Sequence, residues 1–348
     1  MDKNIKYRVL GLMSGTSLDG VDLVVSTFTK NKNWNFIIEK KETIRYSDEW
    51  RNILECLHNK NKREIKDVDL TFGRLLGNMI NHFLGNDKVD FISSHGHTIF
   101  HQPDKNYTLQ IGCGKTIAKI TNTKTINNFR KLDMSLKGQG APLVPIGDLL
   151  LFPNYTYCLN LGGFANISIK NKNSITAFDI CPVNIVLNNL SSKLGFKYDF
   201  NGNIAKKGKL IKSLLNKLDH LSYYKKKPPK SLGSEWVQKN ITPLLNPKYK
   251  TEDILNTFCE HIGKKIGEHL NERETIVSGG GVFNKYLFEK IKKYSNSKII
   301  VPEKEIIEFK EALIFGLLGI LRVRNEVNCL KSVTGASKNN SGGLIHYP

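Results

Sequence analysis

One local pattern occurs twice in this 348-residue chain and constrains its fold more than any other feature. An apolar run, a short turn that contains glycine and a second apolar run occupy residues 8–28, and the same succession returns at residues 157–169. Apolar runs joined by glycine turns are typical of antiparallel strand pairs. Because the chain is long enough for two domains, we predict a duplicated α/β fold, with a hairpin opening each half and a cleft between the halves.

The segments between these hairpins predict further strands and helices. Apolar residues at helical spacing from Val68 to Phe83 predict one helix, and another is expected to begin near Ser47 or Asp48. The glycine and proline cluster at 138–142 is a candidate hinge. The other predicted elements are strands at 35–46, 91–94, 175–178 and 275–278, a short helix after 112, a helix from Asn284 and a last apolar helix over 309–323.

The net charge of +20 could indicate a nucleic-acid or membrane-surface partner. Most of the basic residues are lysine, however, and lysine is a solvated point charge that lacks the planar phosphate-binding fork of arginine. The densest lysine stretch, 206–230, interleaves only Tyr223 and Tyr224 as stacking residues. We therefore favour a solvated face over a nucleic-acid groove.

Several features favour a cytoplasmic protein. The longest apolar run, 312–321, is too short to span a membrane. The first residues lack the apolar stretch of a signal peptide. Six scattered cysteines, without a CxxC pair, indicate reduced thiols rather than a disulfide framework.

Glycine turns are the candidate ligand-binding features. Exposed backbone N–H groups at a tight turn can bind a phosphate, and glycine lets the phosphate approach closely. Any one such turn is more often structural, and the chain has neither a P-loop nor a GxGxxG that opens a helix. Together, the turns at 14–20, 162–163 and 279–281 resemble the two phosphate hairpins and the adenosine turn of the actin, hexokinase and heat-shock chaperone ATPases. That resemblance implies two ribonuclease-H-like (actin-like ATPase) domains that close on ATP.

Residues 11–22, GLMSGTSLDGVD, resemble the opening signature of the anhydro-N-acetylmuramic acid kinases. Further segments match that family in order, at 94–103, 128–130, 138–145, 159–163, 227–231, 278–281, 310–312 and 333–336. The resemblance implies an enzyme of peptidoglycan recycling that uses ATP and water to open the 1,6-anhydro ring of a murein sugar. Phosphorylation of the freed O6 then gives N-acetylmuramic acid 6-phosphate.

The resemblance also implies a homodimer, and we place one domain at 1–137, completed by 309–348, and the other at 138–308. Three alternatives stay open at this point. They are another sugar kinase of the same superfamily, a lysine-rich nucleic-acid-binding protein, and a metal-dependent hydrolase built on His95, His97 and His101.

Asp179 matches the catalytic aspartate of the family, in the segment FDICPVN at 178–184. The resemblance gives its carboxylate the role of a base that activates water for attack on the anomeric carbon. From the residues alone, a cap for the helix expected near Val183 explains Asp179 equally well. The segment departs from the usual FDTGPGN, because Ile180 replaces threonine and Cys181 and Val183 replace two glycines.

Four residues are assigned to the sugar, namely His97, Arg130, Asn184 and Glu311. A guanidinium fork suits the carboxylate of the sugar's lactyl group, so Arg130 is its candidate partner; a surface ion pair is the alternative. Glu311 is predicted at the head of the last helix, where stabilisation of the helix dipole is an alternative role.

ATP is assigned to the three glycine turns, through Ser14, Gly15, Thr16, Ser17, Leu18, Asp19, Gly20, Val21, Asp22, Gly162, Gly163, Gly279, Gly280 and Gly281. Bare phosphates would repel a carboxylate, so Asp19 and Asp22 belong there only beside Mg²⁺, usually through water. An Asx turn is the alternative role of Asp19. The expected partners are thus ATP, Mg²⁺ and a small sugar, without a membrane or a nucleic acid.

Overall fold

A computed structural model describes residues 5–15, 18–171 and 174–348. The chain divides into two compact units, the first formed by residues 1–152 with 309–348 and the second by residues 153–308. In the part of the chain that is described, no helix is both long and apolar enough to cross a membrane.

Each unit contains one β-sheet. The strands of the first unit are β1 (Ile5–Ser14), β2 (Gly20–Lys30), β3 (Trp34–Arg45), β4 (Phe91–Gln102), β5 (Tyr107–Ile111), β6 (Thr125–Asn127) and β12 (Leu344–His346). Those of the second unit are β7 (Tyr157–Leu161), β8 (Phe164–Asn171), β9 (Ser174–Pro182), β10 (Glu274–Ser278) and β11 (Lys298–Ile300).

Helices connect these strands. The first unit has α1 (Asp48–Cys56), α2 (Lys62–Leu84), α3 (Gly114–Thr121), α4 (Arg130–Ser135), α5 (Pro145–Leu151) and α13 (Lys331–Thr334). The second unit has α6 (Asn184–Ser192), α7 (Asn203–Lys207), α8 (Lys212–Asp219), α9 (Ser234–Asn240), α10 (Thr251–Gly267) and α11 (Lys285–Tyr294). The boundary between the units at 308–309 lies within α12 (Lys304–Val323).

The two sheets share one strand order. In the first unit β1 pairs antiparallel with β2, β2 antiparallel with β3, and β1 parallel with β4, which is followed by β6. In the second unit β7, β8, β9, β10 and β11 repeat the same arrangement. This duplication confirms the predicted hairpins and the ribonuclease-H-like fold class.

The first core forms because its central strands are apolar on both faces. Leu10 and Leu23 of β1 and β2 are fully buried and pack in one cluster with Phe72 and Leu76 of α2. The other side of β1 meets α12, since a side chain at Gly11 would overlap the carbonyl of Ala312. Only glycine permits this close approach of helix and strand.

The second core is organised by α10. Phe258 and Ile262 of this helix are fully buried and pack in one cluster with Leu159 and Ile167 of β7 and β8. Both halves thus place a hydrophobic sheet against a helix.

The observed division differs from the predicted domains, because residues 138–152 belong to the first unit rather than the second. Hydrogen bonds and a buried ion pair attach this segment to the first unit. Asp133 Oδ2 accepts the N–H of Gly140 at 2.9 Å, and Lys310 Nζ lies 3.1 Å from Asp148 Oδ1 in a buried ion pair. The candidate hinge at 138–142 therefore belongs to the first unit and does not lie at a boundary between the units.

Candidate functional site

The second and third glycine turns lie at the ends of neighbouring strands. β7 and β10 are parallel, and Asn160 of β7 is in register with Ser278 of β10. The Ser278 hydroxyl lies 3.3 Å from Asn160 Oδ1, to which it donates. Because parallel strands end at the same edge of a sheet, the turns at 162–163 and 279–281 are brought together.

The glycines of these turns serve two different needs. A side chain at Gly279, which has a φ of +84°, or at Gly281 would come within 2.9 Å of atoms of Leu161, so the fold itself requires both glycines. At Gly280 a Cβ would have no neighbour within 4 Å, and at Gly163 its nearest neighbour would be Ile185 Cβ at 4.0 Å. Open space remains beside the backbone of Gly163 and Gly280, which suits the close approach of a ligand.

Asn184 holds the second turn in place. Its backbone N–H donates to Gly162 O at 3.3 Å, and its side-chain Nδ2 donates to Leu161 O at 3.2 Å. The N–H of Val183 donates to Gly163 O at 2.8 Å. The start of α6 and the glycine turn therefore form one hydrogen-bonded unit.

The first glycine turn joins β1 to β2, and Thr16 and Ser17 lie outside the described residues. Leu18 N–H donates to Gly15 O at 3.3 Å. A side chain at Gly20 would overlap the carbonyl of Ile44 in β3, and Val21 is fully buried. These two residues are thus accounted for by packing within the sheet.

The two candidate Mg²⁺ carboxylates differ in their surroundings. Asp19 is exposed, whereas Asp22 is half-buried and accepts the Thr43 hydroxyl at 2.6 Å. Carboxylate oxygens of this kind are the hard ligands that Mg²⁺ prefers. Within the described ranges, no group of three His, Cys, Asp or Glu side chains is arranged to hold a metal ion by itself.

His97 is linked to the first turn by a buried hydrogen-bond chain. Ser14 Oγ lies 2.8 Å from His97 Nδ1 and 2.6 Å from Tyr46 Oη. All three groups are satisfied when Tyr46 donates to Ser14 and Ser14 donates to Nδ1, which leaves the imidazole proton on Nε2. Burial lowers the pKa of His97 to about 4, so the ring is neutral at physiological pH.

Arg130 does not form the surface ion pair considered above. The residue is half-buried, and its Nη1 donates to Gly140 O at 2.7 Å while Nη2 donates to His95 Nε2 at 2.8 Å. His95 Nδ1 lies 2.9 Å from Gly96 O, so both of its ring nitrogens are engaged and neither can bind a metal ion. His95 therefore cannot be a ligand of the metal site that was considered for His95, His97 and His101.

Glu311 is the eighth residue of α12, not a residue of its first turn. The helix begins at Lys304, five residues before the predicted start, and its first residues include the buried Ile306 and Ile307 and the Lys304–Glu308 ion pair (3.6 Å). The helix-dipole interpretation of Glu311 is therefore wrong. Burial raises the pKa of Glu311, and the neighbouring Lys310 and Arg130 oppose that rise.

Asp179 lies within β9 and caps no helix. Strand β9 continues to Pro182, and α6 begins after Val183 without a side-chain cap, so the capping interpretation is wrong. Leu232 N–H donates to Asp179 Oδ2 at 2.8 Å. Tyr223 Oη donates to the backbone carbonyl of Asp179 at 2.7 Å. Burial raises the pKa of the half-buried Asp179 carboxyl to about 6.

The unusual residues after Asp179 point into the protein. Ile180, Cys181 and Val183 are each at most 1% exposed and belong to the core of the second unit. The larger side chains that replace the family's smaller residues are therefore absorbed by packing.

The sequence patterns did not predict the five residues that hold Asp179, Arg130 and the Ser14–His97 pair in place. They are Leu232, Tyr223, His95, Gly140 and Tyr46. Their contacts join positions 32 to 53 residues apart for four of them, and 10 residues apart for Gly140, so local sequence patterns could not connect them. The available signals were the family matches at 227–231, next to Leu232, at 94–103, which contains His95, and at 138–145, which contains Gly140.

Comparison with known proteins covers nearly the whole chain. The family model described as anhydro-N-acetylmuramic acid kinase matches residues 7–348. A protein of that name from Bacillus cereus strain G9842 is 31% identical over 98% of this chain and 99% of its own length. Another, from Aliivibrio fischeri, is 32% identical over 98% and 99%. A solved structure, component A of the (R)-2-hydroxyglutaryl-CoA dehydratase of Acidaminococcus fermentans, is 12% identical, covers 89% of this chain and 96% of its own, and has a TM-score of 0.47.

Proposed function

The chain belongs to the anhydro-N-acetylmuramic acid kinase family, and from that membership we propose that it uses ATP and water to open the 1,6-anhydro ring of N-acetylmuramic acid and to phosphorylate O6. The products are N-acetylmuramic acid 6-phosphate, ADP and a proton. We place this reaction in peptidoglycan recycling, in the cytoplasm where ATP is available, and assign it to a homodimer.

The observation that carries the proposal is the environment of Asp179. One carboxylate oxygen, Oδ2, is fixed by Leu232 N–H, and no described residue donates a hydrogen bond to Oδ1. A pKa of about 6 makes the carboxylate ionised yet basic near neutral pH, which suits a general base.

Asp179 takes a proton from water while the water oxygen attacks the anomeric carbon. The bond between the anomeric carbon and O6 breaks, and O6 attacks the γ-phosphorus of ATP, so that ADP leaves. The hydroxyl formed at the anomeric carbon thus comes from water, and the phosphate comes entirely from ATP.

In this proposal the sugar is held by the four residues assigned to it. Arg130 binds the lactyl carboxylate, and the Nε2–H of His97 donates to a polar group of the sugar. Burial raises the pKa of Glu311, and in this proposal its carboxyl group orients a sugar hydroxyl. Asn184 acts through the glycine turn to which it is bonded.

ATP binds along the three glycine turns, where the open backbone at Gly163 and Gly280 accommodates phosphate or adenosine. Asp19 and Asp22 offer carboxylate oxygens that would hold Mg²⁺. When bound, Mg²⁺ supplies positive charge that stabilises the phosphates during transfer.

The direct test incubates the purified protein with ATP and 1,6-anhydro-N-acetylmuramic acid in ¹⁸O-labelled water. We expect a 6-phosphate sugar with the label on its anomeric hydroxyl and an unlabelled phosphate, measured by mass spectrometry before anomeric exchange. A sample of unlabelled product kept in the same water corrects for exchange. Label in the phosphate, or phosphorylation of an unopened ring, would refute the proposal.

The pKa of Asp179 predicts the pH dependence of the reaction. Because the base works only when ionised, kcat/KM is expected to be constant above about pH 7 and to fall roughly tenfold for each pH unit below 6. His97 stays neutral across this range, since its pKa is about 4. The residual activity of Asp179→Asn should lack this inflection; an unchanged inflection would assign it to another group.

A further inference from the structure

Arg130 is held by two uncharged acceptors, Gly140 O and His95 Nε2. A guanidinium can only donate, so His95 Nε2 must be the acceptor in its contact with Arg130. The imidazole proton then lies on Nδ1, which is 2.9 Å from the carbonyl of Gly96 and can donate to it. The hydrogen bond that His95 accepts from Arg130 therefore requires a neutral ring, and the Nδ1–H donation to Gly96 O is compatible with it.

These two acceptors are rigidly placed. Gly140 is also held through its N–H, which donates to Oδ2 of the fully buried Asp133 at 2.9 Å. His95 is 5% exposed, and its ring packs against Phe315 with ring centroids 4.7 Å apart. The orientation of the guanidinium is thus set by the fold of the first unit.

The positive charge of Arg130 is not cancelled by these contacts. No described carboxylate forms an ion pair with Arg130, and its Nε is buried without a hydrogen-bond partner. Burial lowers the pKa of Arg130 to about 10, while Glu311 acts on it only from a distance. A partly buried cation without a counter-ion is destabilising, and an arriving carboxylate offsets that cost.

We propose that His95 is a positioning residue that makes the enzyme select sugars bearing a carboxylate. His95 orients Arg130 but carries no negative charge. It therefore does not form an ion pair that would neutralise the guanidinium before the substrate carboxylate binds. An aspartate or glutamate in its place would pair with Arg130 and cancel that charge. This inference rests on the proposed contact between Arg130 and the lactyl carboxylate.

The test compares two sugars that differ only in the lactyl group, 1,6-anhydro-N-acetylmuramic acid and 1,6-anhydro-N-acetylglucosamine. The measured quantity is the ratio of their kcat/KM values. His95→Asn keeps a donor near Gly96 O but is too short to accept from Arg130, whereas His95→Gln can place an amide oxygen near the position of Nε2.

We expect His95→Asn to lower the ratio about tenfold or more, chiefly through a higher KM for the carboxylate sugar, because hydrogen bonds to charged groups are the stronger ones. Its kcat/KM for the sugar without a carboxylate should change less than about twofold. His95→Gln should restore most of the ratio. If His95→Asn does not fold, His95→Glu replaces it, and cancellation of the charge should lower the ratio in the same way.

Equal losses with both sugars, or no recovery in His95→Gln, would mean that His95 only supports the fold and would overturn the inference. An unchanged ratio in Arg130→Leu would refute the role of Arg130 in selecting the carboxylate, and with it the role of His95. It would not refute the proposed kinase reaction. Failure of the unmodified protein to phosphorylate either sugar would instead refute the proposed function.

Discussion

Asp179→Asn is expected to lower kcat by about 10² to 10⁴, the usual contribution of a positioned general base. The amide oxygen can still accept the N–H of Leu232, so the side chain stays in place, but an amide cannot take a proton from water. Ring opening and phosphorylation should fall together, because O6 becomes an acceptor only as the anomeric bond breaks. The rate of product formation at saturating substrates measures both.

Asp253→Asn is the matched control. Its carboxylate also accepts a backbone N–H, that of Lys209 at 2.6 Å, in the same unit, and it has no proposed catalytic role. Its kcat should stay within about twofold of the unmodified protein. The ATP-induced rise in melting temperature should be the same in both variants. Near-normal turnover in Asp179→Asn would withdraw the role given to this residue.

Gly280→Val is expected to abolish the stabilisation of the protein by ATP with Mg²⁺. A ligand at 100 times its Kd stabilises the folded state by about 2.7 kcal/mol, and a branched side chain at Gly280 would occupy the space through which the nucleotide reaches the backbone. Since a Cβ there meets nothing within 4 Å and Gly280 has no positive φ, the free protein should keep its stability within about 0.5 kcal/mol.

Melting temperatures measured with and without ATP separate the two effects. Gly281→Val provides the contrast, because its Cβ would lie 2.8 Å from Leu161 Cβ and should destabilise the free protein itself. Gly163→Val should behave like Gly280→Val. A full ATP-induced shift in both Gly163→Val and Gly280→Val would place the nucleotide elsewhere.

Local patterns predicted the elements whose stability is local. The hairpins at 5–30 and 157–171, the strand at 34–45 and the start of α11 after Asn284 lie close to their predicted positions. Asn284 is a clear case, since its side chain accepts the N–H of Leu287 at 3.0 Å and so caps α11. Turn chemistry, strand alternation and capping all act over a few residues, which a single sequence displays.

Predictions failed where contacts between distant segments decide the structure. The stretch 138–152 contains glycine and proline and was predicted to begin a new domain, yet the buried Asp148–Lys310 pair ties it to a helix more than 150 residues away. Helix α12 begins five residues before its predicted start, and Ile307 in its first turn packs in the core of the second unit. The capping role of Asp179 failed because β9 extends past it to Pro182.

The sequence by itself determined the duplicated α/β plan, the three glycine turns and the family of this protein, because turn chemistry, periodicity and motifs are properties of neighbouring residues. Only the tertiary structure decided which glycines are needed for packing and which leave open backbone. It also decided the neutral state of His95, the uncompensated charge of Arg130 and the raised pKa of Asp179. These properties depend on burial and on hydrogen bonds between segments far apart in the chain, and both exist only after the chain has folded.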